Sequence, residues 1–158
     1  MMSDIEKYIN QAIELELNVS DLYLLFYSLF PQDSNFWWTL SIEEKNHAAL
    51  LKNLKQLYQV SHKIPDEINP ENLGELESVN REIKSNFLVF KEHPLRDKAF
   101  EYALMLEQSA GEAHYQKFAE NENLSPIFEV FRQLNKDDKN HATRIRNYMR
   151  QNVTGDLS

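Results

Sequence analysis

The chain has 158 residues, no cysteine, 3 glycines and 5 prolines, and its 17 Lys+Arg against 25 Asp+Glu leave a formal charge of −8. That length suits a single domain, 1–158, with a sizeable core, and the missing cysteines exclude a disulfide framework, a zinc ribbon, a thiolate iron site and a cysteine nucleophile. The negative charge argues against a nucleic-acid partner; with no apolar run of about 18 residues and no signal-peptide pattern at the start, no membrane partner and a cytoplasmic location are expected.

So few glycines leave little material for hairpin turns, and apolar residues recur at alternating steps of three and four, so the expected fold class is all-α. The first stripe is Ile5, Ile9, Ala12, Glu16, Val19, Tyr23, Phe26 and Phe30. It opens on the capping-box pattern Ser3-Asp4-Ile5-Glu6 and stops at Pro31, which predicts a helix over about 3–30. The second, Trp37, Leu40, Glu44, His47, Leu51, Leu54 and Tyr58, predicts a helix over about 34–61 with Asp33 or Ser34 as N-cap. The stretch 62–93 is a long crossover whose start is loop-like around Ile64-Pro65-Asp66 and Asn69-Pro70-Glu71. It continues into a weaker stripe, Leu73, Leu76, Ile83, Phe87 and Phe90, that predicts an extra helix.

A third strong stripe, Phe100, Ala103, Glu107, Ala110 and His114, predicts a helix over about 94–121 with Pro94 in the first turn. The fourth, Ile127, Phe131, Leu134, Asp138, His141, Ile145 and Tyr148, predicts a helix over about 125–152 with Ser125-Pro126 as cap and first turn. The tail from Asn152 has no pattern. Short connections pair the first helix with the second and the third with the fourth as antiparallel hairpins. The hairpins are also copies of one another. Glu43-Glu44-Lys45-Asn46-His47-Ala48 recurs 94 residues later as Asp137-Asp138-Lys139-Asn140-His141-Ala142, and Ala12–Glu16 recurs 91 residues later as Ala103–Glu107.

Every strong stripe carries an acid in its middle: Glu16, Glu44, Glu107 and Asp138, with His47 and His141 three residues after the second and the fourth. An unpaired carboxylate in a core is costly, and no Lys or Arg interrupts the central part of these stripes, so metal cations are the expected counter-charge. Register agrees, because Glu16 and His47 lie equally far from the Pro31–Gln32 turn, and Glu107 and His141 equally far from Leu124. Carboxylates with one imidazole per metal and no thiolate suit iron or manganese, and zinc is compatible with the ligand type.

Glu16, Glu44-Lys45-Asn46-His47, Glu107 and Asp138-Lys139-Asn140-His141 resemble the ligand set of the ferritin-like di-iron carboxylate proteins, in which two helices give a Glu each and two give Glu-x-x-His. Ala12–Glu16 and the Tyr23 that follows are closest to the rubrerythrin branch, and the resemblance covers about residues 3–61 and 94–152. It implies a ferritin-like antiparallel four-helix bundle over 1–158 that binds two iron ions. Glu16 and Glu107 would be terminal ligands, Glu44 and Asp138 bridges, and His47 and His141 one cap each. It also implies an oxidoreductase that reduces peroxide or dioxygen with electrons from an external donor protein, its chemistry carried by these six residues through the metals. An iron-storage protein with a ferroxidase-type site and a bundle with a purely structural metal are the alternatives, and a homodimer is compatible with such a bundle. The chain departs from the family pattern in three places: Asp138 is one methylene shorter than the usual Glu, Ala110 stands where rubrerythrins have a further Glu, and no cysteines are present for a rubredoxin-type iron centre.

Other residues invite a bland reading beside a functional one. Tyr23 could relay a proton or electron, but an aromatic core residue is the simpler expectation. His114 could be an extra ligand or base, or a hydrogen-bonded core histidine; the latter is preferred. Glu43, Asp137, Glu14 and Glu112 fall off the stripes and are expected at the surface, while His62 and His93 are expected to act at helix ends. Trp37, Trp38, Phe26 and Phe30 are expected to pack together at one end of the first hairpin.

Overall fold

The computed structural model describes residues 1–62, 73–108 and 126–153. Among these residues five helices form: α1 (Asp4–Leu29), α2 (Ser34–Ser61), α3 (Leu73–Glu92), α4 (Arg96–Leu106) and α5 (Pro126–Asn152), with a 3₁₀ turn at Pro31–Asp33. Among the described residues there is no strand, so the chain is all-α, and no helix is long and apolar enough to cross a membrane. The contacts gather into two compact units, Met1–His93 and Pro94–Ser158.

In the first unit the capping box forms as its sequence predicts. The Ser3 hydroxyl accepts from the Glu6 N–H at 3.2 Å and the Glu6 carboxylate accepts from the Ser3 N–H at 3.0 Å, which satisfies two otherwise orphaned donors. Pro31 cannot continue α1, so Phe30 leaves the helical region and the 3₁₀ turn reverses the chain into α2. Asp33 takes the N-cap position of α2 without a side-chain cap bond, so position rather than side-chain capping defines this start. The two helices then run antiparallel. Tyr58 meets Ser3 at 3.4 Å, His47 meets Glu16 at 3.4 Å, the Ser20 hydroxyl donates to the Ser41 carbonyl at 2.9 Å, and Trp37 packs on Tyr23 with ring centres 5.4 Å apart. The last turn of α2 closes at His62, which sits in the left-handed region at φ 51° and donates its N–H to the Tyr58 carbonyl at 2.8 Å.

α3, the extra helix expected on the crossover, packs against α1. This explains why α1 buries more than its single stripe: Tyr8, Ile13, Leu15 and Leu22 are covered as well. Leu76, Ile83 and Phe90 form the apolar seam of α3, and Phe90 meets Phe26 edge-on at 5.0 Å. In the middle of that seam sits a buried polar residue, Asn80. It accepts from the Asn18 amide at 3.0 Å and donates to both the carbonyl and the side-chain oxygen of Gln11, at 3.0 and 2.9 Å. Lys84 adds an ion pair to Glu14. Trp37 is fully buried among Tyr23, Phe26 and Phe36, whereas Trp38 is half in solvent and leans on Tyr27.

In the second unit α4 begins at Arg96 with Leu95 as an extended N-cap, so Pro94 stands ahead of the cap instead of in the first turn. The fixed φ of proline suits either place, and here the first helical bond runs from the Ala99 N–H to the Leu95 carbonyl. α5 opens on Pro126, and its expected cap Ser125 lies outside the described residues, as does the part of the third predicted helix beyond 108. The antiparallel ladder between α4 and α5 is continuous. Arg96 donates to the Asn152 carbonyl at 3.1 Å, Phe100 stacks on Tyr148 at 5.5 Å, and Glu107 reaches His141 at 3.5 Å.

Candidate metal centre

All six acids and histidines singled out by the stripes are buried, each 2–5 % exposed. In the first unit α1 brings Glu16 and α2 brings Glu44 and His47, because residues three apart on a helix share a face and the Pro31 turn sets the register across the pair. The His47 Nδ1 stands 3.2 Å from the Glu44 Oε2 and 3.4 Å from the Glu16 Oε2. One ligand atom from each of the three lies within 4.8 Å of the others. In the second unit Glu107, at the C-terminal edge of α4, and Asp138 and His141 of α5 satisfy the same limit of 4.8 Å. There the His141 Nδ1 faces the Glu107 Oε2 at 3.5 Å. Glu107 sits where the backbone widens into a π-type turn with Gln108, a local geometry that recurs at functional positions.

These spacings fit a cation. Ligand atoms about 2.1 Å from one ion at right angles stand about 3 Å apart, close to the separations seen here. No Lys or Arg is buried among the described residues, and buried acids need a counter-charge. In the first unit a proton does part of that work. Burial disfavours a charged His47 ring, but hydrogen bonds and Coulomb attraction from Glu16 and Glu44 outweigh it and push its pKa up to about 12. That imidazolium balances one of two carboxylates and occupies the nitrogen a metal would take, so metal binding there displaces a proton. The two groups of buried carboxylate and imidazole could each hold a metal ion.

The surroundings correct several expectations. Glu14 and Asp137 are half-buried, not free at the surface: Glu14 pairs with Lys84 because α3 covers that flank of α1, and Asp137 accepts from the Gln133 amide at 2.8 Å. Glu43 is half-buried too. Tyr23 is fully buried against Trp37 and Phe26, in keeping with a core aromatic one helical turn beyond the Ser20–Ser41 contact. His62 and His93 do sit at the ends of α2 and α3, and the His93 N–H donates to the Val89 carbonyl at 2.8 Å. His114, Ala110 and Glu112 lie outside the described residues. Two polar positions beside the acids escaped the stripes: Ser41 and Asn135, each three residues before an acid and each buried. The offset of 94 that relates the two helices also relates these positions, and it is the signal that could have found them.

No family model, curated protein or solved structure matches the chain.

Proposed function

We propose that the chain is a dinuclear-metal oxidoreductase of the rubrerythrin-like kind, a ferritin-like four-helix bundle that reduces peroxide or dioxygen with electrons from an external donor protein. One observation carries this reading: a carboxylate facing the Nδ1 of a buried histidine, with a second acid three residues before it, is built twice from a duplicated hairpin. A single buried Glu–His pair is commonplace in cores, whereas two copies in matching register, without a buried Lys or Arg among the described residues, call for cations. In this reading Glu16, Glu44 and His47 of the first unit and Glu107, Asp138 and His141 of the second would be the residues that hold the ions.

Two iron ions held there would supply the two electrons that reduce one peroxide, with two protons, to water. The protein's own contribution is threefold. Buried carboxylates would balance the charge of the ions, His47 and His141 would each fix a position, and the Tyr23–Phe26–Trp37 cluster would keep water from the α1–α2 side. Manganese or zinc would satisfy the ligands, but zinc would not supply redox chemistry.

The test is single-turnover oxidation. Full-length protein loaded with ferrous iron under argon and mixed with one equivalent of peroxide is expected to oxidise two irons per chain within seconds. Re-reduction should then allow a second turn. Binding of iron without oxidation by peroxide or air would refute the activity, and a large multi-subunit cage on gel filtration would favour iron storage instead.

A further inference from the structure

We propose that the side-chain amide of Asn135 is the hydrogen-bond donor for the small anion or oxygen-donor molecule that enters beside Asp138, an inference that rests on the metal reading above. Asn135 lies on α5 one turn before Asp138, so the two side chains are neighbours on one helix surface, with Asn135 on the opposite flank of Asp138 from His141. It is 3 % exposed, and its Nδ2 is buried without a hydrogen-bond partner among the described residues. A buried donor left unpaired destabilises a fold, and a leucine of similar size would remove the penalty, so packing alone gives no reason for an amide here.

The duplicated half shows what a closed version of this position looks like. The counterpart of Asn135, 94 residues earlier, is Ser41. Its carbonyl accepts from the Ser20 hydroxyl at 2.9 Å, and the two hydroxyl oxygens lie 3.4 Å apart. One half has spent its polar groups on each other, and the other keeps a donor in reserve. Asp138, one turn along the same helix, can only accept when ionised, so an incoming anion or oxygen-donor molecule would find its hydrogen bond at Asn135. The class of ligand that follows is small, with a lone pair free for the amide while another atom meets the metal: azide, peroxide or a comparable species.

The experiment uses full-length protein loaded with cobalt(II) and titrated with azide, followed by visible absorbance, for the wild type, Asn135→Leu and Asn135→Ser. Asn135→Leu is expected to take up cobalt with unchanged stoichiometry but to bind azide about tenfold more weakly, the size of one lost hydrogen bond. Asn135→Ser, which keeps a donor, is expected to fall between. Metal-free Asn135→Leu is expected to unfold at the same urea concentration as the wild type or a higher one. Unchanged azide affinity in Asn135→Leu overturns the proposal, and so does a metal-free Asn135→Leu that is less stable than the wild type, because the amide would then be structural. If the wild type takes up no cobalt, the metal reading itself fails, and that is seen before azide is added.

Discussion

Glu16, Glu44 and His47 in the first unit and Glu107, Asp138 and His141 in the second repeat one pattern of side chains in two unlike settings. Around the first set every element is tied down. α1 is capped by the Ser3–Glu6 box, α2 is locked by a fully buried Trp37, and α3 is held to α1 by the Asn80 amide and the Lys84–Glu14 pair. Around the second set, Phe100 stacks on Tyr148 and Arg96 donates to the Asn152 carbonyl. Its acid is one methylene shorter, its Glu107 sits at a π-type turn, and its Asn135 has no partner for Nδ2 among the described residues. Duplication therefore reproduced the ligands and let their surroundings diverge, with Ser41 bonded to Ser20 in one half and the Asn135 amide in the other.

The contrast can be broken by substitution. Trp37→Ala removes the largest fully buried side chain and is expected to cost about 3–5 kcal/mol in urea unfolding. Tyr148→Ala, which loses a half-buried stacked ring in the second unit, should cost only about 1–2 kcal/mol. Equal losses would show that the two rings matter alike to their units. Asn80→Ala leaves the half-buried groups of Gln11 and Asn18 without their partner and is expected to cost about 1–3 kcal/mol. Amide exchange should quicken along α3 well before it does along α2, and uniform acceleration would show that Asn80 does not hold α3 specifically.

The smallest expected effect is at the start of α1. Ser3→Ala removes the N-cap and is expected to cost about 1 kcal/mol at neutral pH. The Ser3 N–H, aided by Gln59, holds the Glu6 carboxyl below its ordinary value of 4.5. A depressed carboxylate stabilises the fold above its unfolded value and loses that contribution as pH falls through the folded one, so the advantage of the wild type over Glu6→Gln should persist above pH 4.5 and shrink in more acid solution. Unfolding curves of both proteins between neutral and acid pH check this, and a constant difference would show that Glu6 takes no part in the cap.

The bounds of α1 and α2 were legible within a residue because the signals that set them are local: a serine box at one end and a proline at the turn. The pairing of Glu16 with His47 and of Glu107 with His141 was legible as well, since a short turn between long helices leaves one register. Pro94 misled because its fixed φ fits both sides of a helix cap. Asn80 and Asn135 were invisible for a different reason. Each lies on a buried seam, but a polar side chain gives no periodic signal of its own, and only the neighbouring helix decides whether its hydrogen bonds are met. The half-burial of Glu14 likewise depends on α3 lying alongside α1, which the stripe of α1 alone did not reveal.

The most direct measurement is equilibrium binding of ferrous iron under argon to the wild type, His47→Ala and His141→Ala, with circular dichroism recorded on the same samples. The expected result is two ions per wild-type chain and a loss of tight binding at one position in each variant, with helix content retained throughout. A wild type that binds no iron tightly, or variants that bind as the wild type does, would contradict the assignment of these buried acids and histidines to a metal centre.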